Sequence, residues 1–287
     1  MVNSYICVWR DPNWCLGHAF FKRRTKQTYM KRIVILTLAV AVLMNVTPSE
    51  ARRKGLVEDY PALAPYFCDS SDEAMAPDGQ GFIRRWLLLE PISKPNRTNT
   101  VFVDSYLRKH LDTGWNKDGF KVPENGDKVT MEVEEQAPVD LTAGRPRNPF
   151  EEPEKKIVRK KLTWHALDSK LFNVKLYRYA VGTETGRYGA IFRAVTVIDV
   201  PEDLENVRLA VGSNSASMWW IDSEEALILS GDRRMVMDDG ASKRMTLKKG
   251  RHVITGAVIN GPGMSDFCVR FIDEDGNPVI DYTITKL

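Results

Sequence analysis

Serine, histidine and aspartate side chains of this sequence could together perform acyl transfer. Ser213 and Ser265 are candidate nucleophiles, His252 is the candidate base, and Asp222 or Asp266 could orient it. A serine esterase needs these three roles within hydrogen-bond reach of one another. The Gly-x-Ser-x-Gly elbow that presents the serine in many esterases is absent from the sequence. A carbohydrate esterase is therefore kept as an alternative, and we expect no catalysis.

Two neighbouring carboxylates, Asp238 and Asp239, precede Gly240 and could contribute oxygen ligands to calcium. The alternating Asp-x-Asp-x-Asp-Gly spacing of a dedicated calcium loop is missing, and Asp-Gly also favours a tight hairpin turn. Calcium stays an alternative at this turn, and we expect no other cofactor.

The stretch SMWWIDSEE contains two adjacent tryptophans, which could bind sugar rings. Successive side chains of a strand point to opposite faces. Met218, Trp220 and Asp222 therefore share one face, while Trp219 and Ile221 share the other. Because the second pair has no charged member, we predict that Trp219 lies in the core and that Trp220 faces outward.

An outward Trp220 has three explanations: it is a platform for a sugar, it is covered by the N-terminal stretch or an inserted loop, or it contacts another protein. Sugar binding uses aromatic faces together with polar side chains that bond to hydroxyl groups. The predicted contact surface comprises Trp220, Asp222, Arg233 and Arg234, with Trp115 and Asn214 contributing from loops.

Strands must position these residues. From Leu162 onward, short apolar runs follow at close intervals and are separated by Asp-Gly, Lys-Gly and Asn-Gly dipeptides, which predicts an all-β sandwich or barrel. The runs include NVKLYRYAV, interpreted as a strand, and FIRRWLLLEPI is a further strand near Phe82. The spacing of apolar residues predicts one short helix within residues 101–111, capped by Asp104 or Ser105.

The chain divides into segments of different composition. Residues 52–81 are polar and acidic and are expected to lie across the surface of a β-sandwich domain at 82–287. Residues 134–158 are rich in proline and charge without an apolar period, which predicts a disordered insertion.

The N-terminal region has the pattern of a secretory signal peptide. Met30 is followed by Lys31 and Arg32, an apolar run, and small residues up to Ala51. We expect the chain to start at Met30 and cleavage to follow Ala51, with residues 1–29 either an upstream extension or an unusually long n-region of the signal peptide. The apolar run is shorter than the roughly 20 residues of a membrane span. We therefore predict a periplasmic or secreted product.

Removal of residues 1–51 takes away seven of the 41 basic residues and two of the 38 acidic ones, which leaves 34 against 36. This near-neutral balance argues against nucleic acid as a partner. Cys68 and Cys268 remain, and in an oxidising compartment they either form a disulfide or stay as buried thiols.

Residues 207–272 contain a strand that ends in Gly-Ser, a Trp-x-Asp-x-Glu-Glu strand, then GDRR, DDG, LKKGRHVI and FCVRFID. This pattern resembles the galactose-binding-like jelly roll, a β-sandwich of carbohydrate-binding modules and of accessory domains in secreted bacterial polysaccharide-utilisation proteins. With FIRRWLLLEPI and LTWHALDSKLFNVKLYRYA, the likeness extends to secreted proteins labelled acetylxylan esterase.

The resemblance implies a module that binds a plant-type polysaccharide or supports a partner glycoside hydrolase or esterase. An acetylxylan-type esterase and a structural or protein-docking module are the alternatives.

Overall fold

The computed structural model describes residues 55–93, 102–112, 119–136, 155–183, 189–259, 264–285 and 287. Three short helices are present in these ranges: α1 (Leu56–Asp59), α2 (Asp104–Leu111) and α3 (Leu176–Gly182), with a 3-10 turn at Pro61–Leu63. The described strands are β1 (Phe67–Asp69), β2 (Arg85–Leu89), β3 (Ile92–Ser93), β4 (Lys128–Gln136), β5 (Lys155–Ser169), β6 (Ala190–Val200), β7 (Leu204–Ser213), β8 (Ala216–Ile221), β9 (Glu224–Leu229), β10 (Gly240–Ala241), β11 (Met245–Leu247), β12 (Gly250–Ile259), β13 (Phe267–Ile272) and β14 (Thr283–Ile284).

The strands form two antiparallel sheets. The larger sheet has the order β1-β5-β2-β6-β12-β8-β9, with β4 beside β5 and with β3 and β14 beside β6. The smaller sheet has the order β10-β7-β11, with β13 also paired to β7. The all-β sandwich is thus confirmed, and the narrower jelly-roll assignment stays a prediction.

The core between the sheets is built around three aromatic rings. Trp86 lies edge-on to Trp219 and to Phe267, with ring centroids 5.9 and 5.1 Å apart, and all three side chains are fully buried. Gly256 lies under the Trp219 indole, where an added Cβ would come within 2.3 Å of the ring. The prediction that Trp219 belongs to the core is confirmed.

The outer face of the larger sheet, which points away from the smaller sheet, is also covered. Its apolar side chains, among them Met218 and Trp220, pack with Phe102, Leu107 and Leu111 on and before α2. A sheet buried on both faces needs strands that are apolar on both sides, as β6 is throughout most of its length. The helix predicted within 101–111 is therefore present and forms part of this cover.

The strand predicted for NVKLYRYAV is wrong, because six of its nine residues, 176–181, belong to α3. Leu176, Tyr179 and Ala180 follow the i, i+3, i+4 spacing of a helix and are all buried. Alternation and helical spacing overlap in so short an apolar run. At α2, the predicted cap by Asp104 or Ser105 is also wrong, since Val103 occupies that position without a side-chain hydrogen bond.

The predicted insertion at 134–158 is too wide. Residues 134–136 end β4 and residues 155–158 begin β5, and the two strands pair up to Gln136 and Lys155. Residues 137–154 lie outside the described residues. The charged side chains of this hairpin can pair across the two strands, as Glu132 and Arg159 do in an ion pair.

The N-terminal stretch does more than cross the surface. Leu63 and Phe67 are buried in the core between the sheets, and β1 pairs with the end of β5. Residues 54–287 form one compact unit, so this stretch belongs to the sandwich. The predicted signal peptide lies outside the described residues. In the part of the chain that is described, no helix is both long and apolar enough to cross a membrane.

Candidate functional site

Trp220 does not offer its ring to solvent. It lies on the outer face as predicted, but only 2% of it is exposed, because α2 covers this part of the sheet. Of the three explanations for this side chain, cover by the same chain is the one that the packing shows. Among the described residues α2 provides this cover, and residues 137–154 of the inserted loop lie outside the described residues.

The remaining residues of the predicted contact surface do not meet. Asn214 lies before the first residue of β8, and the backbone of Arg233 accepts a hydrogen bond from the neighbouring Ser215 N–H. Asp222 follows the last residue of β8. Six residues of strand separate these ends by about 20 Å. Arg234 is exposed next to Arg233, and Trp115 lies outside the described residues.

The same separation applies to the residues of the esterase alternative. The Ser213 hydroxyl lies 2.8 Å from Ser217 Oγ, at the start of β8. Ser265 is at the same end of the strand, because the N–H of Asn214 donates to the carbonyl oxygen of Asp266, the residue after Ser265. His252 contacts Asp222 at the other end of that strand. Neither serine is therefore within reach of this histidine.

His252 also lacks the lone pair that a general base needs. Its Nδ1 lies 2.6 Å from the Asp222 carboxylate and its Nε2 lies 2.6 Å from the Lys248 carbonyl oxygen. Both neighbours accept hydrogen bonds only, so the ring donates from both nitrogens as an imidazolium. Burial lowers the pKa of His252, but the bonds to Lys248 and Asp222 outweigh it, and the net pKa is raised above its usual 6.5.

We expect His252→Gln to destabilise the fold more at low pH than at high pH. A base whose pKa is raised in the folded state stabilises that state below its unfolded pKa, and the contribution disappears as pH rises through the folded pKa. Urea unfolding of both proteins from about pH 5.5 to about pH 9 measures the difference in unfolding free energy. Other groups titrate alike in the two proteins, so a difference that stays constant over this range would contradict the imidazolium assignment.

The carboxylates considered for calcium are bound by arginines. Asp238 accepts two hydrogen bonds from the Arg270 guanidinium, one of them at 3.0 Å from Nε, and Arg233 Nε lies 2.6 Å from Asp239. No group of three or more potential metal ligands is found within the described ranges. A calcium ion at this turn would have to displace both arginines, so we do not propose one.

Cys68 and Cys268 are free thiols, and the disulfide alternative is not realised. Phe67 and Phe271 point into the core between the sheets, so by alternation the two cysteines point to opposite outer faces of the sandwich. A disulfide requires Cα atoms within about 7 Å of each other. Cys268 is buried as expected for a packed thiol, and burial raises its pKa to about 12, whereas Cys68 is exposed.

A different part of the outer face holds a cavity of about 520 Å³. Its floor comes from β2, β5 and β6, and its walls come from β4 and residues 120–123. The apolar lining consists of Leu89, Phe120, Val122, Val129, Met131 and Trp164. Cavities of this size and apolar character are typical of small-molecule sites.

A row of paired residues crosses the floor of this apolar cavity. Trp164 on β5 pairs with Leu89 on β2, and the next position on β6 is Arg193, one residue beyond the Leu88–Ala194 pair. Arg193 pairs in turn with Ala257 on β12. The guanidinium is thus the one charged group in a row of apolar side chains.

A second, polar cavity of about 630 Å³ adjoins the first, and the two share Lys121, Val122 and Pro123. Its polar lining consists of Ser70, Asp72, Lys121, Glu124, Asn125 and Arg251. The Ser70 hydroxyl is buried and has no hydrogen-bond partner in the part of the chain that the structure describes. Carboxylates, an amide and an arginine therefore line the polar cavity.

Two hydrogen bonds fix the segment between the cavities. Asn125 Oδ1 accepts the Ala166 N–H at 3.0 Å, and Asp127 Oδ2 accepts the Glu124 N–H at 2.9 Å. No sequence motif marks this region, so it was not among the predicted sites. The available signal was Arg193 inside GAIFRAVTVI, because an arginine within a strand that is apolar on both sides must be buried.

No protein-family model matches the sequence, and no curated protein sequence matches it. Among solved structures, a PA14 domain of the antifreeze protein MpAFP is similar with a TM-score of 0.35 and 8% identity, over 76% of this chain and 95% of that one. A PA14 sugar-binding domain from an RTX adhesin gives a TM-score of 0.34 and 8% identity, over 71% and 100%.

An epithelial adhesin A domain from Candida glabrata, in complex with β-lactose, gives a TM-score of 0.29 and 9% identity, over 76% and 95%. The structural similarity to these domains is low. A ligand for this chain must therefore be inferred from the geometry of its own side chains.

Proposed function

We propose that this protein binds carbohydrate in the two adjoining cavities on the outer face of its larger sheet. The observation that carries the proposal is their contrast: one is apolar and contains Trp164, and the other is polar and is lined by Glu124, Asn125 and Arg251. A sugar ring has C–H faces that pack on aromatic side chains and hydroxyl groups that need polar partners. A pair of cavities of opposite character suits one such ligand.

The wider role that we propose is an accessory module of complex-polysaccharide utilisation, without catalysis of its own and outside the cytoplasm. The location follows from the signal-peptide pattern at residues 30–51 of the sequence, and the ligand class follows from the resemblance to secreted polysaccharide-utilisation proteins. A plant-type polysaccharide is the expected ligand, and a glycoside hydrolase or esterase is the expected partner. The positions of His252 and the two serines do not favour the esterase alternative.

We expect Phe120→Ala to weaken binding to the retained polysaccharide by about tenfold or more, because the ring lines the apolar cavity and each 1.4 kcal/mol of lost contact corresponds to a factor of ten. Affinity electrophoresis of the purified protein in gels containing xylan, pectin or arabinan identifies the polysaccharide that retards it. The same gels then give the ratio of affinities for wild type and variant.

The matched control is Phe172→Ala, which removes an exposed ring that contacts Phe82 and lines neither cavity. It should migrate as the wild type does. If all three gels leave the wild type unretarded, carbohydrate binding is overturned and the structural or docking alternative takes its place. Equal retardation of both variants and wild type would show that the polysaccharide binds outside these cavities.

A further inference from the structure

The apolar cavity is enclosed by side chains that share the outer face of the larger sheet. Val129 on β4 lies opposite Leu162 on β5, and Met131 comes two residues later on the same face of β4. Trp164, two residues after Leu162, supplies an indole at the floor, and Phe120 adds a second ring. The walls and the floor therefore offer a ligand mainly apolar contacts.

The charged residues of the lining leave this apolar character unchanged. Nε and Nη1 of Arg193 are buried, and the Asp127 carboxylate accepts the Glu124 N–H at 2.9 Å. Lys121 and Lys128 are exposed, and a lysine stem can lie along an apolar wall while its ammonium group stays in water. A hydroxyl group that enters this cavity would lose hydrogen bonds to water. The hydroxyl groups of a sugar are therefore better accommodated in the polar cavity.

The adjoining polar cavity supplies the groups that sugar hydroxyls need. Glu124, Asn125 and Arg251 are exposed residues of its lining, and their side chains provide both donors and acceptors of hydrogen bonds. Residues 121–123 belong to both linings, so a ligand that occupies both cavities crosses this short segment. The pair of cavities therefore suits a ligand with a hydroxyl-rich part that is joined to an apolar part.

The lining indicates an aromatic group for the apolar part. Phe120 and Trp164 provide two rings, and aromatic groups in edge-on or offset contact gain more than the area that they bury. Met131 adds a thioether, which also makes favourable contacts with aromatic rings. The volume of about 520 Å³ lies in the lower half of the range for small-molecule sites. The apolar cavity therefore suits one ring with a short side chain rather than a further length of polysaccharide.

We propose that the apolar cavity binds an aromatic acyl group of the hydroxycinnamoyl type, which is esterified to the sugar that lies in the polar cavity. This inference rests on the proposed carbohydrate binding and narrows its ligand class to sugars esterified with an aromatic acid. Binding removes apolar surface of the acyl group and of the lining from water, which supplies affinity. The ester linkage is uncharged, so it can cross residues 121–123 without the cost of dehydrating a charge.

Isothermal titration with two probes that differ only in the acyl group tests this assignment. The probes are methyl arabinofuranoside with a feruloyl ester at its primary hydroxyl and the same glycoside with an acetyl ester. We expect wild type to bind the feruloyl ester at least about tenfold more tightly than the acetyl ester, a difference of about 1.4 kcal/mol. Methyl ferulate, which lacks the sugar, should bind more weakly than the feruloyl glycoside.

Val129→Asp should abolish the preference for the feruloyl ester, because it places a charge on the wall of the apolar cavity. The matched control is Thr130→Asp, the same change at the next residue of β4. Its exposed side chain lies on the opposite face, so this variant should keep the wild-type preference. Circular dichroism and thermal unfolding establish that the variants are folded. If Val129→Asp does not fold, Val129→Thr, which has nearly the same shape, should reduce the preference in its place.

The possible failures are distinct. A wild type that binds the two esters equally overturns the selection of an aromatic acyl group and leaves carbohydrate binding intact. A folded variant at Val129 that keeps the full preference overturns the placement of the acyl group in this cavity. Equal affinity for methyl ferulate and the feruloyl glycoside overturns the joint use of the two cavities. A wild type that binds none of the probes, and is not retarded by any polysaccharide, overturns the proposed function itself.

Discussion

Trp220→Ala is expected to lower the free energy of unfolding by about 3–5 kcal/mol, the usual cost of emptying a buried tryptophan site, and to leave glycan affinity unchanged. The side chain is 2% exposed and packs under α2, where Phe102, Leu107 and Leu111 complete the cover. An indole in that position contributes to stability through the apolar surface that it buries. Urea unfolding of variant and wild type measures the first effect, and affinity electrophoresis measures the second.

Ile157→Ala is the control for this experiment, because that apolar side chain is 71% exposed and its removal should change stability little. A Trp220→Ala variant that unfolds at the wild-type urea concentration but loses glycan binding would restore the sugar-platform explanation. It would also mean that α2 moves away from the sheet in solution.

Strand alternation predicts the face on which a side chain lies, but not whether that face meets water. Alternation along SMWWIDSEE correctly predicted that Trp219 and Trp220 lie on opposite faces, because successive side chains of an extended backbone always alternate. Whether a face meets water depends on elements far away in sequence. The helix at Asp104–Leu111 was predicted as a helix, but no local pattern indicates that it docks on β8.

The fold class could be predicted because many short apolar runs each indicated a strand. Single runs were less secure: NVKLYRYAV has apolar residues that suit both an alternating strand and a helical face, and tertiary packing of Tyr179 and Ala180 decided for the helix. The charged ends of β4 and β5 were likewise assigned to a loop. Their partners across the hairpin, such as Arg159 for Glu132, are invisible in a single stretch of sequence.

The candidate site was the least predictable feature. Residue types such as tryptophan, arginine and aspartate were taken as neighbours because they are near in sequence, yet one strand holds Asn214 and Asp222 at its opposite ends. The cavities instead combine residues from β2, β4, β5 and β6, which only the sheet order brings together. Arg193 carried a local signal, since burial of an arginine in a two-sided apolar strand needs a specific explanation.

Asp168→Asn is expected to destabilise the protein by about 3–5 kcal/mol, because it leaves a buried guanidinium without its counter-charge. Arg85 is 1% exposed, and its Nε and Nη2 donate to the two oxygens of Asp168 at 2.8 and 2.9 Å. The same guanidinium donates to Ser71 Oγ and to the Glu73 carbonyl oxygen. The ion pair therefore ties the N-terminal stretch to β2 and β5, and thermal or urea unfolding measures the loss.

Two further variants separate the charge effect from general disturbance. Glu132→Gln breaks the exposed Arg159–Glu132 ion pair, whose side chains are 77% and 60% exposed, and should change stability by less than about 1 kcal/mol. Arg85→Met combined with Asp168→Leu removes both buried charges and should recover much of the loss caused by Asp168→Asn alone, since the two sites are strongly coupled. If Asp168→Asn were as mild as Glu132→Gln, the Arg85 guanidinium would have to be reached by water, and the N-terminal stretch would contribute little to the sandwich.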